Sequence, residues 1–563
     1  MKKHHAPTLE MIVKRFDKGY EFKQKVGLYD TVQVNENFFI GKQWEGVQAN
    51  GLPTPTYNFL KQVVNFQVAT ITSDNMAIQV SPLTSTSPYS DKELEQISDV
   101  VNHQYAAIIE RNHFVGQLRE FMRNAAVDGD GCIYAYFDST VENGQQVKGE
   151  IKTEVIENTR VIFGNPNSRD VQSQPYIILY RRALVEDAQY LAEQYIEDGV
   201  CGIENPEEIQ ADSEKFSNKY DSYTDDKVTV LTYFYRNRDT GTIWCVEATE
   251  KGILRKAYDT KYTLYPLIWL SWDYIQDCYH GQAMVTGLIP NQKFINKMFA
   301  MVGISLMSTA FPKVIYDKTR IRSWDGSVGA AVGVQGNVDT VAKTIDGASI
   351  SPQIAQFIEM SINKTRTFLG ASDVAMGDSR PDNTSAIIAL QRAANTPMEM
   401  TKQAMYQQIE NMARIWLDMM SVRYGTRKVS MKMKMDKIGE QPLGMTLPPQ
   451  YFKVDFNFAV LKKIPMAIKQ DVGASSYWSE MANMQTLDNL LMNKQITLKQ
   501  YLERIPNGYI SKKQELIDEI SAQNMTQPVN MGTGMSKETI DEMPIPSGSG
   551  NAALQRAINQ QGV

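Results

Sequence analysis

Cysteine is scarce in this chain: Cys132, Cys201, Cys245 and Cys278 stand far apart among 563 residues, with no CxxC pair. That is too few to staple a chain of this size and offers no zinc-ligand spacing, so the thiols are expected to be reduced, in a protein assembled in a cytosol. Histidine is as rare, five residues and no HExxH. The G-x-S-x-G turn of a hydrolase nucleophile is missing as well. The Gly-rich stretch DGSVGAAVGVQGN (325–337) lacks the Lys and hydroxyl that a phosphate loop places on nucleotide and Mg²⁺. No catalytic residue, metal or cofactor is expected on these grounds.

Two further absences narrow the class. Positive charge is not in excess: 58 Lys and Arg against 64 Asp and Glu leave a net charge of -6. Tight binding of nucleic acid comes mainly from clustered cations neutralising phosphates, so any nucleic acid partner must be held loosely or be moving. Long apolar runs are also missing. The start, MKKHHAPTLE, is basic but leads into no apolar leader, so export is not expected. The most membrane-like run, Met298 to Phe311, is about 14 residues long, short of the ~18 to 20 that cross hydrocarbon, and is expected to be buried in protein.

What is present is a long α/β chain. A charged helix is expected from Met11 to Gln24, then an aromatic and turn-rich stretch in Val32 to Trp44 (NENFFIGKQWEG), and a break at Gly51 to Pro55. Leu60, Val63, Val64, Val68 and Ile71 are spaced for a helix, and Met76 to Val80 alternates as a strand ending at Pro82. One long helix is read from Lys92 to about Val127. Strand-like runs follow at Cys132 to Phe137, Glu150 to Ile156, Tyr176 to Arg181, Val228 to Arg236, Ile243 to Glu247 and Leu267 to Trp272, with a short helix at Val185 to Ile196.

The second half changes character. Gln282 to Ser308 reads as a long helix whose charges are Lys293 and Lys297 alone, so neighbours must cover it. An irregular insert follows, with β-like pieces at Lys313 to Tyr316 and Val332 to Val334. A return helix from Pro352 to Leu369 places Ile354, Ile358, Ile362 and Leu369 along one side. After a breaker-rich loop, Ser385 opens a helix to about Tyr424, interrupted by Pro397. Beyond it, Ile409, Met412, Ala413, Trp416, Leu417 and Met420 form a 3-and-4 stripe. Strands are expected at Val429 to Met435 and Tyr451 to Ala459, and helices at Tyr477 to Met492, Thr497 to Arg504 and Ser511 to Ala522. From Gln527 the composition is that of a flexible tail.

This order of elements, together with NENFFIGKQW, GLPTPTYNFLKQVVNFQVATITSDN and, more specifically, GQAMVTGLIPNQKFINKM and TSAIIALQRAANTP, resembles the portal (head-to-tail connector) proteins of tailed bacteriophages. The resemblance implies a mixed α/β portal fold, with a wing over 1–280, a first stem helix over 281–308, a clip over 309–350 and a second stem helix over 351–369. A tunnel loop would span 370–384, a kinked wing helix 385–425, wing strands 426–469, crown helices 470–525 and the tail 526–563.

In that family the subunits form a ring, commonly of twelve, around a DNA channel at one capsid vertex, and the chain is expected in the virion after assembly in the host cytoplasm. Its implied partners are further copies of itself, the major capsid protein, a scaffolding protein, the terminase large subunit, a head-completion, neck or tail adaptor, and the double-stranded DNA that passes in and out. No membrane is involved.

In such a ring Lys293, Lys297, Lys364 and Arg366 would form belts of positive charge. Asp373, Asp378, Arg380 and Asp382 would line the constriction without gripping DNA. Arg320, Arg322, Trp324 and Asp325 would belong to the surface that receives partners. Each has an ordinary counterpart: Lys and Arg on helices are commonly solvated or paired, and a charged loop is commonly only a surface loop. Asp128, Asp130 and Gly131 resemble a fragment of a calcium loop without its remaining ligands. Phe38, Phe39, Trp44, Trp269, Trp272 and Tyr274 fit core or interface packing better than stacking on bases. Two other readings stand beside the portal: a DNA-processing enzyme with an unrecognised carboxylate metal site, and a different phage connector or minor head protein.

Overall fold

The computed structural model describes residues 6–73, 77–83, 89–213, 226–310, 313–321, parts of 323–345, 352–368, 384–432, 451–471, 487–505 apart from 494, and 516. The chain divides into two compact units, one of Met1–Gln441 with Thr446–Ala482, the other of Pro442–Met445 with Asn483–Val563.

The first unit opens with α1 (Leu9–Lys25), capped by Thr8, then α2 (Leu28–Ile40) and α3 (Phe59–Ile71), capped by Asn58. The NENFFI stretch is therefore helix rather than turn. Asn35, which reads as a turn former, is buried in α2 and donates to the Val127 carbonyl at 2.8 Å. Next come β1 (Ala77–Pro82), α4 (Asp91–Arg111) and α5 (Phe114–Asp128). Ser90 and Glu93 cap α4 reciprocally. The single helix expected from Lys92 to Val127 is two, because Asn112 leaves the helix and donates to the Ile151 carbonyl at 3.0 Å while His113 takes a left-handed conformation, φ 49°.

Two antiparallel sheets follow. One has the order β3-β2-β9, from β2 (Asp130–Asp138), β3 (Glu150–Ile156) and β9 (Leu267–Ser271). The other runs β4-β5-β6-β7-β8, from β4 (Val161–Phe163), β5 (Tyr176–Leu184), β6 (Lys227–Arg236), β7 (Ile243–Ala248) and β8 (Ile253–Tyr262), with α6 (Val185–Glu197) between β5 and β6. Strands β4 and β8 escape the sequence reading: β4 is too short to show a period, and bulges break the alternation of β8. On one face of the five-stranded sheet, Ile178, Tyr180, Leu231 and Tyr233 pack under Ile12 and Phe16 of α1. Gly19 permits this closeness, since a Cβ there would lie 2.2 Å from Ile162. Ile177, Leu179, Phe234 and Cys245 face the three-stranded sheet.

The second half supplies α7 (Met284–Ala310), the hairpin β10 (Lys313–Tyr316) and β11 (Ala342–Ile345), then α8 (Pro352–Phe368) and α9 (Thr384–Arg423). The strand expected at Val332 to Val334 does not form; β10 pairs instead with Ala342–Ile345. Helical geometry continues through Pro397, where the ring removes a single donor and the turns beyond it are held by burial of Met398, Met405 and Ile409. The stripe of α9 forms the main core: Trp416 is fully buried, 4.9 Å from the ring of Phe114, and the Tyr105 hydroxyl donates to the Ala413 carbonyl at 2.8 Å.

The hairpin of β12 (Thr426–Lys432) and β13 (Tyr451–Asn457) is followed by β14 (Met466–Asp471), an unexpected strand that pairs antiparallel with β1. The region implied as crown, from 470, opens on the last two residues of β14, Asp471 lying opposite Ala77, and the helix expected from Tyr477 lies, as far as Thr486, outside the described residues. In the second unit, residues 487–492 are helical and α10 (Leu498–Arg504) is closed by a Thr497/Gln500 capping box. The helix expected over Ser511 to Ala522 lies, but for Leu516, outside the described residues.

Candidate functional site

The root of α7 is built on a buried polar cluster. Asp130, at the start of β2, has no solvent exposure. Its Oδ2 lies 2.7 Å from His280 Nδ1, and its Oδ1 accepts from the Gly281 backbone N–H at 2.8 Å. Asp273 and Gln282 exchange backbone hydrogen bonds of 3.2 and 2.9 Å across the same turn. Gly129, at φ 102°, lets the strands meet, since a Cβ there would sit 2.8 Å from the Gly281 carbonyl oxygen. Lys23 of α1 is also fully buried, its ammonium donating to the Asn158 and Thr159 carbonyls at 2.8 and 2.6 Å. Burial pushes the His280 imidazole below its ordinary pKa and Lys23 well below its own, while the Asp130 charge opposes both shifts. The calcium-like fragment is therefore a structural anchor with both oxygens of Asp130 engaged. Among the described residues no group of His, Cys, Asp or Glu is arranged to hold a metal.

The first half of α7 is clamped by amides. Gln292 donates to the Tyr57 carbonyl (2.8 Å) and to Asn296 (2.9 Å), Asn296 donates to Gln43 (2.6 Å), and Gln43 donates to the Phe38 carbonyl (3.0 Å). Met284, Val285, Leu288, Ile289 and Ile295 are buried around this chain of bonds. Phe38 and Phe39 belong to the same core. Trp269 is likewise buried, Trp272 packs against two cores and Trp44 donates to the Pro55 carbonyl at 3.0 Å, so these aromatics are spent on packing. Tyr274 is exposed under the Arg169 guanidinium.

The second half of α7 is different. From Lys297 to Ala310 no residue is buried; Met301 is 62% exposed, Leu306 57% and Met307 51%. Among the described residues the burial expected for Met298 to Phe311 is only partial, with Phe299 against Tyr57 at 4.1 Å and nothing from Met298 to Ala310 fully buried. At 1.5 Å per residue the uncovered half extends about 20 Å. α8 runs antiparallel beside α7, with Asn291 donating to Thr365 (3.3 Å) and Phe294 edge-on to Phe357 at 5.9 Å, and it too exposes Phe357 and Met360. Along this stretch α7 carries no charge beyond Lys297. No helix among the described residues is long and apolar enough to cross a membrane.

The basic residues noted in the sequence fall on this pair of helices but not in one direction. Lys293 and Lys297, one turn apart, are exposed, and the Lys293 ammonium lies 5.3 Å from the Phe38 ring centroid. Lys364 is exposed, whereas Arg366, about 200° further round at 3.6 residues per turn, donates to Gln62 of α3 at 2.7 Å. In the insert, Arg320 pairs with Asp317 (3.6 Å) and donates to Thr340 (3.2 Å). Asp325 accepts from the Ser327 backbone N–H (2.9 Å) and hydroxyl (2.7 Å), bonds that hold its carboxyl below the usual range. Arg322, Trp324 and the loop residues Asp373, Asp378, Arg380 and Asp382 lie outside the described residues. What the sequence could not show is the buried root, because Lys23, Asp130 and His280 are separated by more than a hundred residues and none carries a motif.

A family model described as phage P22-like portal protein matches residues 13–446. A comparison with curated proteins finds no match.

Proposed function

Given that the chain belongs to the phage P22-like portal protein family, a structural and non-enzymatic family of homo-oligomers associated with capsid and DNA, we propose that α7 and α8 are the paired stem helices of a closed ring, commonly of twelve copies. The observation that carries this is the second half of α7, largely uncovered by the described residues and without charge beyond Lys297. Apolar surface of this size on a single chain marks an interaction face, and a ring supplies the cover by packing one side of each subunit against a different side of the next.

On this reading residues 1–280, with the strands after α9, form the wing, and the β10–β11 hairpin with its insert forms the clip. The 370–384 segment is assigned to the tunnel by the family order, and the 470–525 region to the crown, whose start shifts to follow β14. The ring sits at one vertex of the virion capsid, starts on scaffolding and major capsid protein, receives the ATP-driven terminase, and then carries neck or tail proteins. The energy for moving DNA comes from the motor. A slightly acidic chain suits a conduit, because duplex DNA must pass without being gripped.

Negative-stain electron microscopy with mass photometry of the purified protein tests the assembly. Rings of about a dozen subunits with a channel roughly 20 to 40 Å wide, enough for a B-form duplex, are expected. The double variant Met301→Glu, Leu306→Glu is expected to keep its far-UV circular dichroism and remain monomeric; rings of normal size from that variant would remove the stem assignment.

A further inference from the structure

Between the three-stranded and five-stranded sheets lies a cleft of about 660 Å³ that the ring model does not use. Its walls come from the alternate residues of both sheets: Tyr134 and Tyr136 from β2, Glu154 from β3, Arg181 from β5, Glu247 from β7 and Arg255 from β8. The volume lies in the range of built ligand sites.

Strand β8 is distorted in a way that serves this cleft. Tyr258 lies opposite Cys245 and Arg255 opposite Glu247, so three steps along β8 match two along β7. In a regular strand, residues three apart point to opposite faces; the extra residue turns both Tyr258 and Arg255 inward.

Arg255 is then held in place with only part of its guanidinium engaged. Its guanidinium lies 3.8 Å from the Tyr258 ring centroid and 5.1 Å from that of Tyr195. Its Nε is buried with no hydrogen-bond partner, and its nearest carboxylate, Glu247, stays 3.9 Å away. Glu247 is drawn off by the Tyr195 hydroxyl, which donates to it at 3.2 Å. Arg181, on the neighbouring wall, has no hydrogen bond or ion pair among the described residues. A planar guanidinium fixed by aromatic rings, with its Nε unpartnered and only a long ion pair to Glu247, matches a carboxylate, which it binds through two parallel hydrogen bonds.

We propose that this cleft binds a carboxylate-bearing, extended polypeptide segment of a partner protein, with Arg255 and Arg181 gripping the acidic side chain and Tyr134 and Tyr136 stacking beside it. Tyrosine supplies rigid contact area at low entropic cost in such polar peptide sites, and arginine is enriched beside it. A nucleic acid strand fits less well, because Glu154 and Glu247 stand on opposite walls and repel a backbone charged at every residue. Peptide N–H groups instead supply donors for those carboxylates.

Fluorescence anisotropy on the purified full-length protein tests this, with an end-blocked, fluorescein-labelled tetrapeptide of alternating tyrosine and glutamate as probe. Controls are the same peptide with glutamine for glutamate, and labelled oligothymidylate. Saturable binding of the glutamate peptide is expected, weakened at least tenfold by Arg255→Gln, by Arg181→Gln and by the glutamine replacement. Equal binding of the glutamine peptide, indifference to both arginine variants, tighter binding of oligothymidylate, or no saturable binding would each overturn the proposal. Arg181 is exposed, so its variant decides the matter should Arg255→Gln lose its circular dichroism spectrum.

Discussion

His280 illustrates how much of this protein rests on single buried groups. Its Nδ1 meets Asp130, its ring is buried, and the folded state therefore prefers the neutral imidazole despite the nearby carboxylate. In the unfolded chain the same ring titrates near its ordinary value of 6.5. As pH falls from about 6.5 toward the lowered folded value, the unfolded state takes up the proton first, and stability declines; above that window the contribution is fully present. Urea midpoints of the wild type are accordingly expected to fall more steeply between pH 7 and 5 than those of His280→Gln, and parallel profiles would show that His280 does not titrate differently in the two states. None of this was legible in the sequence, where the Asp128 to Gly131 stretch looks like a partial metal loop. Partners more than a hundred residues away decide its role. Glu150 and Arg427, buried 3.2 Å apart between β3 and β12, were hidden for the same reason.

At the scale of elements, periodicity located most helices and most strands. It failed where local signals and tertiary partners disagree. The helical pattern from Lys92 to Val127 shows no Pro, and its one Gly, Gly116, lies past the break, yet the chain turns at His113 in a left-handed conformation that costs a residue with a Cβ roughly 1 to 2 kcal/mol. The turn is held by Asn112, which donates to the Ile151 carbonyl and accepts from the Thr153 N–H at 3.1 Å. His113 is exposed and gives no side-chain cap, so His113→Gly is expected to raise stability by up to about 1 kcal/mol in urea denaturation. A loss instead would mean that the imidazole holds the turn. Conversely β14 was missed because a six-residue strand after a 3-10 turn has no pattern of its own until β1 lies beside it.

For the whole molecule, the telling feature is the change along α7 from clamped to uncovered. On the proposed ring, an interface made of Met301, Ile304, Leu306 and Met307 would be apolar, so its strength would come from surface removed from water and not from ion pairs. Rings are therefore expected to persist when NaCl is raised from about 0.1 to 1 M, as read by mass photometry; dissociation into monomers with salt would point to a charged interface elsewhere.

The scarcity of charge on α7, Lys293 and Lys297 alone, was visible in the sequence, and from it the need for cover. Whether that cover comes from the same chain was not, because composition records the apolar character of a helix and not what packs on it. By itself the sequence determined the α/β class, the order of elements and the family resemblance, since these follow from local periodicity and short motifs. The tertiary structure alone decided that Asp130 and His280 anchor the root of α7, that its second half is left largely uncovered by the described residues, and that a bulge in β8 turns Arg255 into a cleft. Each depends on residues distant in the chain meeting in space, and on which backbone groups those meetings leave satisfied.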